Sequence, residues 1–111
     1  MTVAGKVLEW HKPGTGAVVG ATGISELKRI AEYFAKSGKK VPLLIPGAGT
    51  QGGSAADAAE ILREQYGRIT MHRINSSSAI SYAYEKDGDN DYVSAAEKAV
   101  KEMNREIGKV T

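Results

Sequence analysis

Two short runs hold most of the side chains in this sequence that could bind or transform a charged ligand. In the first, Pro46-Gly47-Ala48-Gly49-Thr50-Gln51-Gly52-Gly53, four of eight positions are glycine. Glycine at that density lets backbone N–H groups approach an anion closely. A helix starting just after it would add the favourable field of its N-terminus, and the Gln51 amide offers both a donor and an acceptor. The same glycines would equally serve a plain strand-to-helix turn, and spacing alone leaves both readings open. In the second run, Asn75-Ser76-Ser77-Ser78, four small polar side chains follow one another. Their hydroxyls and main-chain N–H groups could bind phosphate oxygens, whereas capping a helix would need only one of the serines. Thr22, after Val18-Val19-Gly20-Ala21, adds one further hydroxyl, with a small-residue corner as the plainer reading.

Other chemistries find little support. His11 and His72 have no second ligand at metal spacing, so neither a metal site nor a histidine catalyst is expected. The chain has no cysteine, which removes disulfides and thiolate ligands and fits a reducing, cytoplasmic setting. Its formal charge of +2 arises from 15 basic and 13 acidic residues mixed along the chain, with no basic run that would mark a nucleic-acid partner. The longest apolar stretches, such as residues 41–45, fall far short of the ~20 residues that a membrane helix needs. Glu9, His11 and Lys12 interrupt any apolar run of the kind found in a signal peptide.

The elements that must position these runs can be read from periodicity and punctuation. At 111 residues the expectation is one domain over residues 1–111. A short helix spans residues 4–11, ended by Pro13-Gly14. Residues 17–20 form a first strand, apolar throughout as expected for a strand covered on both faces. Ser25 caps a helix carrying Leu27, Ile30, Ala31 and Phe34 at i, i+3, i+4, i+7 spacing, and Gly38 stops it. Residues 41–45 form a second strand, whose ladder Pro46 ends. Ser54 caps the next helix, with Ala58, Ile61, Leu62 and Tyr66 on one side and Gly67 at its end. Residues 69–75 read as a third strand, and a turn of helix begins near Ser77. Asp91 caps a last helix with Val93, Ala96, Val100, Met103 and Ile107 along one stripe and a Glu97–Lys101 pair on its outer face.

The order is helix, then strand and helix three times, at the spacing of parallel crossover units. Right-handed crossovers place all three strand C-termini at one edge, so the loops after Gly20, Ile45 and Asn75 converge there. The fold class is therefore α/β, three parallel strands alternating with helices behind an N-terminal helix. Three strands are too few to close a β/α barrel of eight. Three helices cover only one face of such a sheet, so the other face calls for a fragment's missing part, a homo-oligomer or a complementing segment.

Taken in order, Val18-Val19-Gly20-Ala21-Thr22, then Leu44-Ile45 with the glycine-rich run, then Ile74-Asn75-Ser76-Ser77, resemble the orotidine 5′-monophosphate decarboxylase family, most closely its bacterial-type branch. The resemblance covers nearly the whole chain. It implies a partial TIM-type barrel, equivalent to the sixth, seventh and eighth strands with the preceding helix. It also implies a lyase of pyrimidine biosynthesis that converts orotidine monophosphate to uridine monophosphate and CO2 without metal or organic cofactor. By the resemblance, Pro46 lines the pyrimidine pocket, Gly47 belongs to the same substrate-binding run, Gln51 sits on the loop closing over the nucleotide, and Gly52 and Gly53 let that loop pivot. Asn75, Ser76 and Ser77 correspond to the phosphate cradle, with Thr22 at the neighbouring tip.

Two departures qualify what the resemblance implies. Similar sequences carry an arginine phosphate clamp where this chain has Ser78, which implies weaker phosphate binding. The family's reaction relies on an Asp-x-Lys-x-x-Asp arrangement, in which carboxylates crowd the substrate carboxylate and the lysine protonates the carbanion. No Asp-x-Lys occurs in this sequence. The expectation is binding without a catalytic residue. A non-catalytic nucleotide- or phosphate-binding module and a structural oligomerising domain stand as the alternatives.

Overall fold

Three helix-and-strand alternations follow an entry helix, as the periodicity predicts. The structure is a computed structural model and describes residues 2–21, 23–49, 53–88 and 90–110. The elements are α1 (Thr2–Trp10), β1 (Ala17–Val18), α2 (Ile24–Lys36), β2 (Leu43–Ile45), α3 (Ala55–Tyr66), β3 (Arg73–Ile74), α4 (Ser78–Ser81), α5 (Ala83–Asp87) and α6 (Tyr92–Val110). Among them, β1, β2 and β3 form one parallel sheet in that spatial order.

The helix boundaries follow local chemistry. Ser54 and Asp57 form a reciprocal capping box at the start of α3. The Asp57 N–H donates to Ser54 Oγ at 3.0 Å, and the Ser54 N–H donates to Asp57 Oδ2 at 3.3 Å. Ser54→Ala should cost about 1 kcal/mol, measured as a lower urea midpoint with an unchanged slope. At the other end, the Gly67 N–H donates to the Arg63 carbonyl at 2.8 Å. Asp91 caps α6 as expected, accepting from the Ser94 N–H at 3.1 Å and the Ser94 hydroxyl at 2.8 Å. Lys101 and Glu97 pair at 2.6 Å on the exposed side of α6, where solvent screens the pair and leaves it little weight in stability.

Three expectations are corrected. The start of α2 lies two residues earlier than the serine cap implies: Gly23 is the N-cap, and its carbonyl accepts from the Leu27 N–H at 2.9 Å. Ser25 is an exposed residue of the first turn. The third strand is two residues rather than seven, because residues 69–72 close a turn first. The His72 N–H reaches the Ile69 carbonyl at 3.0 Å, and Arg73 Nη1 reaches the Thr70 carbonyl at 2.8 Å. On α6 the deeply buried residue is Ala95, while Val93 at the head of the expected stripe is 62% exposed. The helix packs against α3, α4 and α5, which rotates its contact face away from Val93.

The core lies between the sheet and its helices. Leu43 and Ile45 of β2 are fully buried against Leu27, Ala31 and Phe34 of α2 and Ala58 and Leu62 of α3. The opposite sheet face is open. Parallel pairing aligns Val18 with Leu44 and Leu44 with Arg73, and residues so aligned point to the same side. Val18 is 69% exposed, Leu44 43%, and Arg73 is also exposed. Helices thus cover one side of the sheet, and a row of two aliphatic side chains and one arginine marks the uncovered side.

Candidate functional site

The C-terminal ends of the three strands are tied to one another by backbone and side-chain hydrogen bonds. Beyond β1, the Ala21 N–H donates to the Pro46 carbonyl at 3.0 Å. Beyond β2, the Asn75 N–H donates to the Ile45 carbonyl at 2.8 Å, and the Ala48 N–H donates to the Asn75 carbonyl at 3.4 Å. The Ser76 hydroxyl, buried, donates to the Ala48 carbonyl at 2.7 Å. The three tips therefore share one rim, with the segment after β2 in the middle.

Glycine is required in this middle segment for two different reasons. Gly47 and Gly49 have φ of +83° and +87°, in the left-handed region that side chains disfavour. Gly53 is buried and presses against the neighbouring tip: a Cβ there would collide with the Ala21 carbonyl and lie 2.7 Å from Ile24 Cδ1. The Gly49 N–H donates to the Gly53 carbonyl at 2.8 Å, joining the two ends of the glycine-rich segment. From there the chain enters the α3 cap directly, so the helix N-terminus lies at the rim.

The residues expected at a site are not all equivalent. Asn75 is exposed, and its Nδ2 donates to Ser77 Oγ at 3.3 Å. Two residues beyond Leu44 and Arg73, Pro46 and Asn75 continue the alternation of the open face. Ser76 points the other way, into the layer beneath the rim, with its hydroxyl committed to Ala48. Ser77 is exposed and precedes the one-turn α4 without a side-chain cap. Thr22, Gln51 and Gly52 lie outside the described residues. On the helix side of the rim, a groove of about 660 Å³ starts at Gly49, Ser54 and Ser76 and runs toward Lys86 and Lys98 between α5 and α6. That volume falls within the range of small-molecule sites.

Ser76 acts here as a fastener. Removing its hydroxyl leaves a buried carbonyl without that donor, so Ser76→Ala should cost about 1–2 kcal/mol and raise amide exchange at Ala48 more than at Leu27 in the core. Sequence reasoning identified Ser76 by type but not this contact, which joins positions 28 apart.

The two histidines are separate from the rim. His11 is near the surface, with Nε2 3.0 Å from the Lys40 carbonyl. His72 is buried at the opposite end of β3, where its Nδ1 accepts from the Leu43 N–H at 3.0 Å. Among the described residues no group of three or more His, Cys, Asp or Glu side chains could hold a metal ion. No helix among them is long and apolar enough to cross a membrane.

Curated proteins similar to this chain include several orotidine 5′-phosphate decarboxylases. It is 40% identical over 94 residues to an orotidine 5′-phosphate decarboxylase of Petrotoga mobilis, covering 83% of the chain and 30% of that relative. It is 44% identical over 91 residues to one of Delftia acidovorans, covering 81% and 30%. The match to one of Bordetella petrii extends over 110 residues at 38% identity, covering 97% and 38%. The chain belongs to the orotidine 5′-phosphate decarboxylase family. It spans about a third of the length of these family members. No family model matches the chain, and no solved structure matches it. Within this family, the parallel strands and the helices between them are the part of the architecture seen directly.

Proposed function

We propose that this chain supplies the phosphate- and pyrimidine-side rim of an orotidine 5′-phosphate decarboxylase barrel, as the equivalent of its sixth, seventh and eighth strands. The observation that carries the reading is the joining of the three strand tips, through Ala21 to Pro46, Asn75 to Ile45 and Ser76 to Ala48, around a glycine-rich segment. The ligand is a pyrimidine nucleoside monophosphate, orotidine or uridine monophosphate. Pro46 and Gly47 border the base, and Gln51, Gly52 and Gly53 belong to the closing loop. Thr22, Asn75, Ser76 and Ser77 surround the phosphate, Ser76 acting through the Ala48 segment that it holds.

The rim supplies binding and orientation, which can account for a large part of a barrier when a reacting group is fixed near its target. The proton donor and the crowding carboxylates must come from elsewhere, because the sequence contains no Asp-x-Lys. A segment equivalent to the first five strands would both supply them and cover the Val18–Leu44–Arg73 face. The activity belongs to cytoplasmic pyrimidine biosynthesis in this reading. Mixing the chain with such a segment from a relative and measuring CO2 release from orotidine monophosphate tests the proposal. Activity that requires both chains is the expected result, and no activity at any ratio, with a folded complex present, contradicts it.

Ser78, where similar sequences carry arginine, favours a second reading as a nucleotide-binding module without catalysis. That reading predicts uridine monophosphate binding by the chain alone, with no gain in turnover on complementation. Ser78→Arg should tighten phosphate binding by about tenfold or more in either reading, as a bidentate clamp is restored, and turnover on complementation separates the two.

A further inference from the structure

His72 stands where the β2–β3 ladder would need its next rung. Leu44 pairs with Arg73 and Ile45 with Ile74, but residues 69–72 form a turn, and the Leu43 N–H is met by the imidazole Nδ1 instead. As acceptor, that nitrogen is unprotonated, so the neutral ring carries its proton on Nε2. The ring packs against Tyr66 with centroids 4.4 Å apart, and both His72 Nε2 and Tyr66 Oη are buried.

We propose that His72 is an acid-sensitive pin that releases the start of β3 from β2 when its ring is protonated. A second proton on the ring turns Nδ1 from acceptor to donor, facing another donor, the Leu43 N–H. Among the described residues, no carboxylate lines the cavity beside the ring to meet the cation so formed. From α3 it faces Tyr66 and Leu62, and from α6 Met103, Asn104 and Ile107. The charged neighbour on its own strand is Arg73, whose guanidinium donates to the Thr70 and His72 carbonyls at 2.8 Å. Burial holds the imidazole down at about 4 from an ordinary 6.5, and the same burial pushes the Tyr66 phenol up to about 12.

The sign follows from that ordering. The opened state binds a proton near its ordinary value and the closed state only near 4, so closure is complete above about 6.5 and weakens as pH falls toward 4. Amide exchange on the isotopically labelled chain, corrected for intrinsic rates, tests the device together with a titration of the His72 ring by NMR. From pH 7 to 4.5 the opening equilibrium at Leu43 should rise about 50-fold, while Leu27 in α2 changes much less. His72→Asn, which keeps an acceptor near the Nδ1 position, should hold Leu43 within about threefold over the same range. The proposal is overturned by a Leu43 response below threefold in the unaltered chain, by a ring that titrates near 6.5, or by Leu27 opening in step with Leu43. The measurements on the unaltered chain decide the matter if the variant does not fold.

Discussion

Phe34→Ala should lower the stability of this chain by about 3–5 kcal/mol, the largest loss expected from any single truncation here. Phe34 is 1% exposed and packs in the cluster that joins α2 to the sheet through Leu27, Leu43 and Ile45. The loss combines the transfer free energy of the ring with the cavity left between elements that are fixed by the parallel ladder. Domains of this size are stable by only about 5–15 kcal/mol, so the variant should sit close to its unfolding midpoint. With a urea dependence of roughly 1.5 kcal/mol per molar, the midpoint should fall by about 2–3 M. Lys36→Ala, which removes an exposed partner of Glu32 on the same helix, should leave the midpoint nearly unchanged, because solvent screens the pair.

Gly53→Ala should be the most damaging single methyl group at the rim. Its Cβ would meet the Ala21 carbonyl, a backbone atom of a residue whose N–H is tied to the Pro46 carbonyl, so the contact cannot be relieved by turning a side chain. Overpacking of this kind costs about 1–3 kcal/mol. The strain falls between the first and second strand tips, so the variant should lose uridine monophosphate affinity by about tenfold, beyond its loss in stability. Gly108→Ala provides the contrast, because a Cβ in that last turn of α6 meets nothing within 4 Å. Helix propensity then favours the alanine by up to about 1 kcal/mol, and nucleotide affinity should be unchanged. Calorimetric titration with uridine monophosphate and urea unfolding measure both pairs of values.

The parts of this structure that local rules determine could be read from the sequence. Leu27, Ala31 and Phe34 recur at helical spacing, Ser54 sits before an apolar run, and Gly67 ends it, and these are the features that form α2 and α3. The parallel order followed from alternating strands and helices. What escaped is what depends on two distant segments meeting. The His72 imidazole replaces a ladder rung only because the register puts Leu43 beside it, 29 positions away. Ser76 turns its hydroxyl toward Ala48 rather than outward for the same kind of reason. Thr70 and Arg73 looked compatible with a strand, but their turn hydrogen bonds shorten β3 to two residues. Val93 satisfied the helical stripe, and tertiary packing rotated the contact face to Ala95.

The open sheet face was anticipated by counting, since three helices cannot cover both sides of three strands. Its row of Val18, Leu44 and Arg73 gives that count a chemical form. A covering layer must accept two aliphatic side chains and one guanidinium.

Nucleotide capture at the joined strand tips is most directly tested by adding uridine monophosphate to the isotopically labelled chain and following each backbone amide. Saturable shifts centred on Gly49, Gln51, Asn75 and Ser76, with His72 and α1 unmoved, are the predicted result. Shifts that do not saturate, or that centre on the opposite end of the strands, would contradict it.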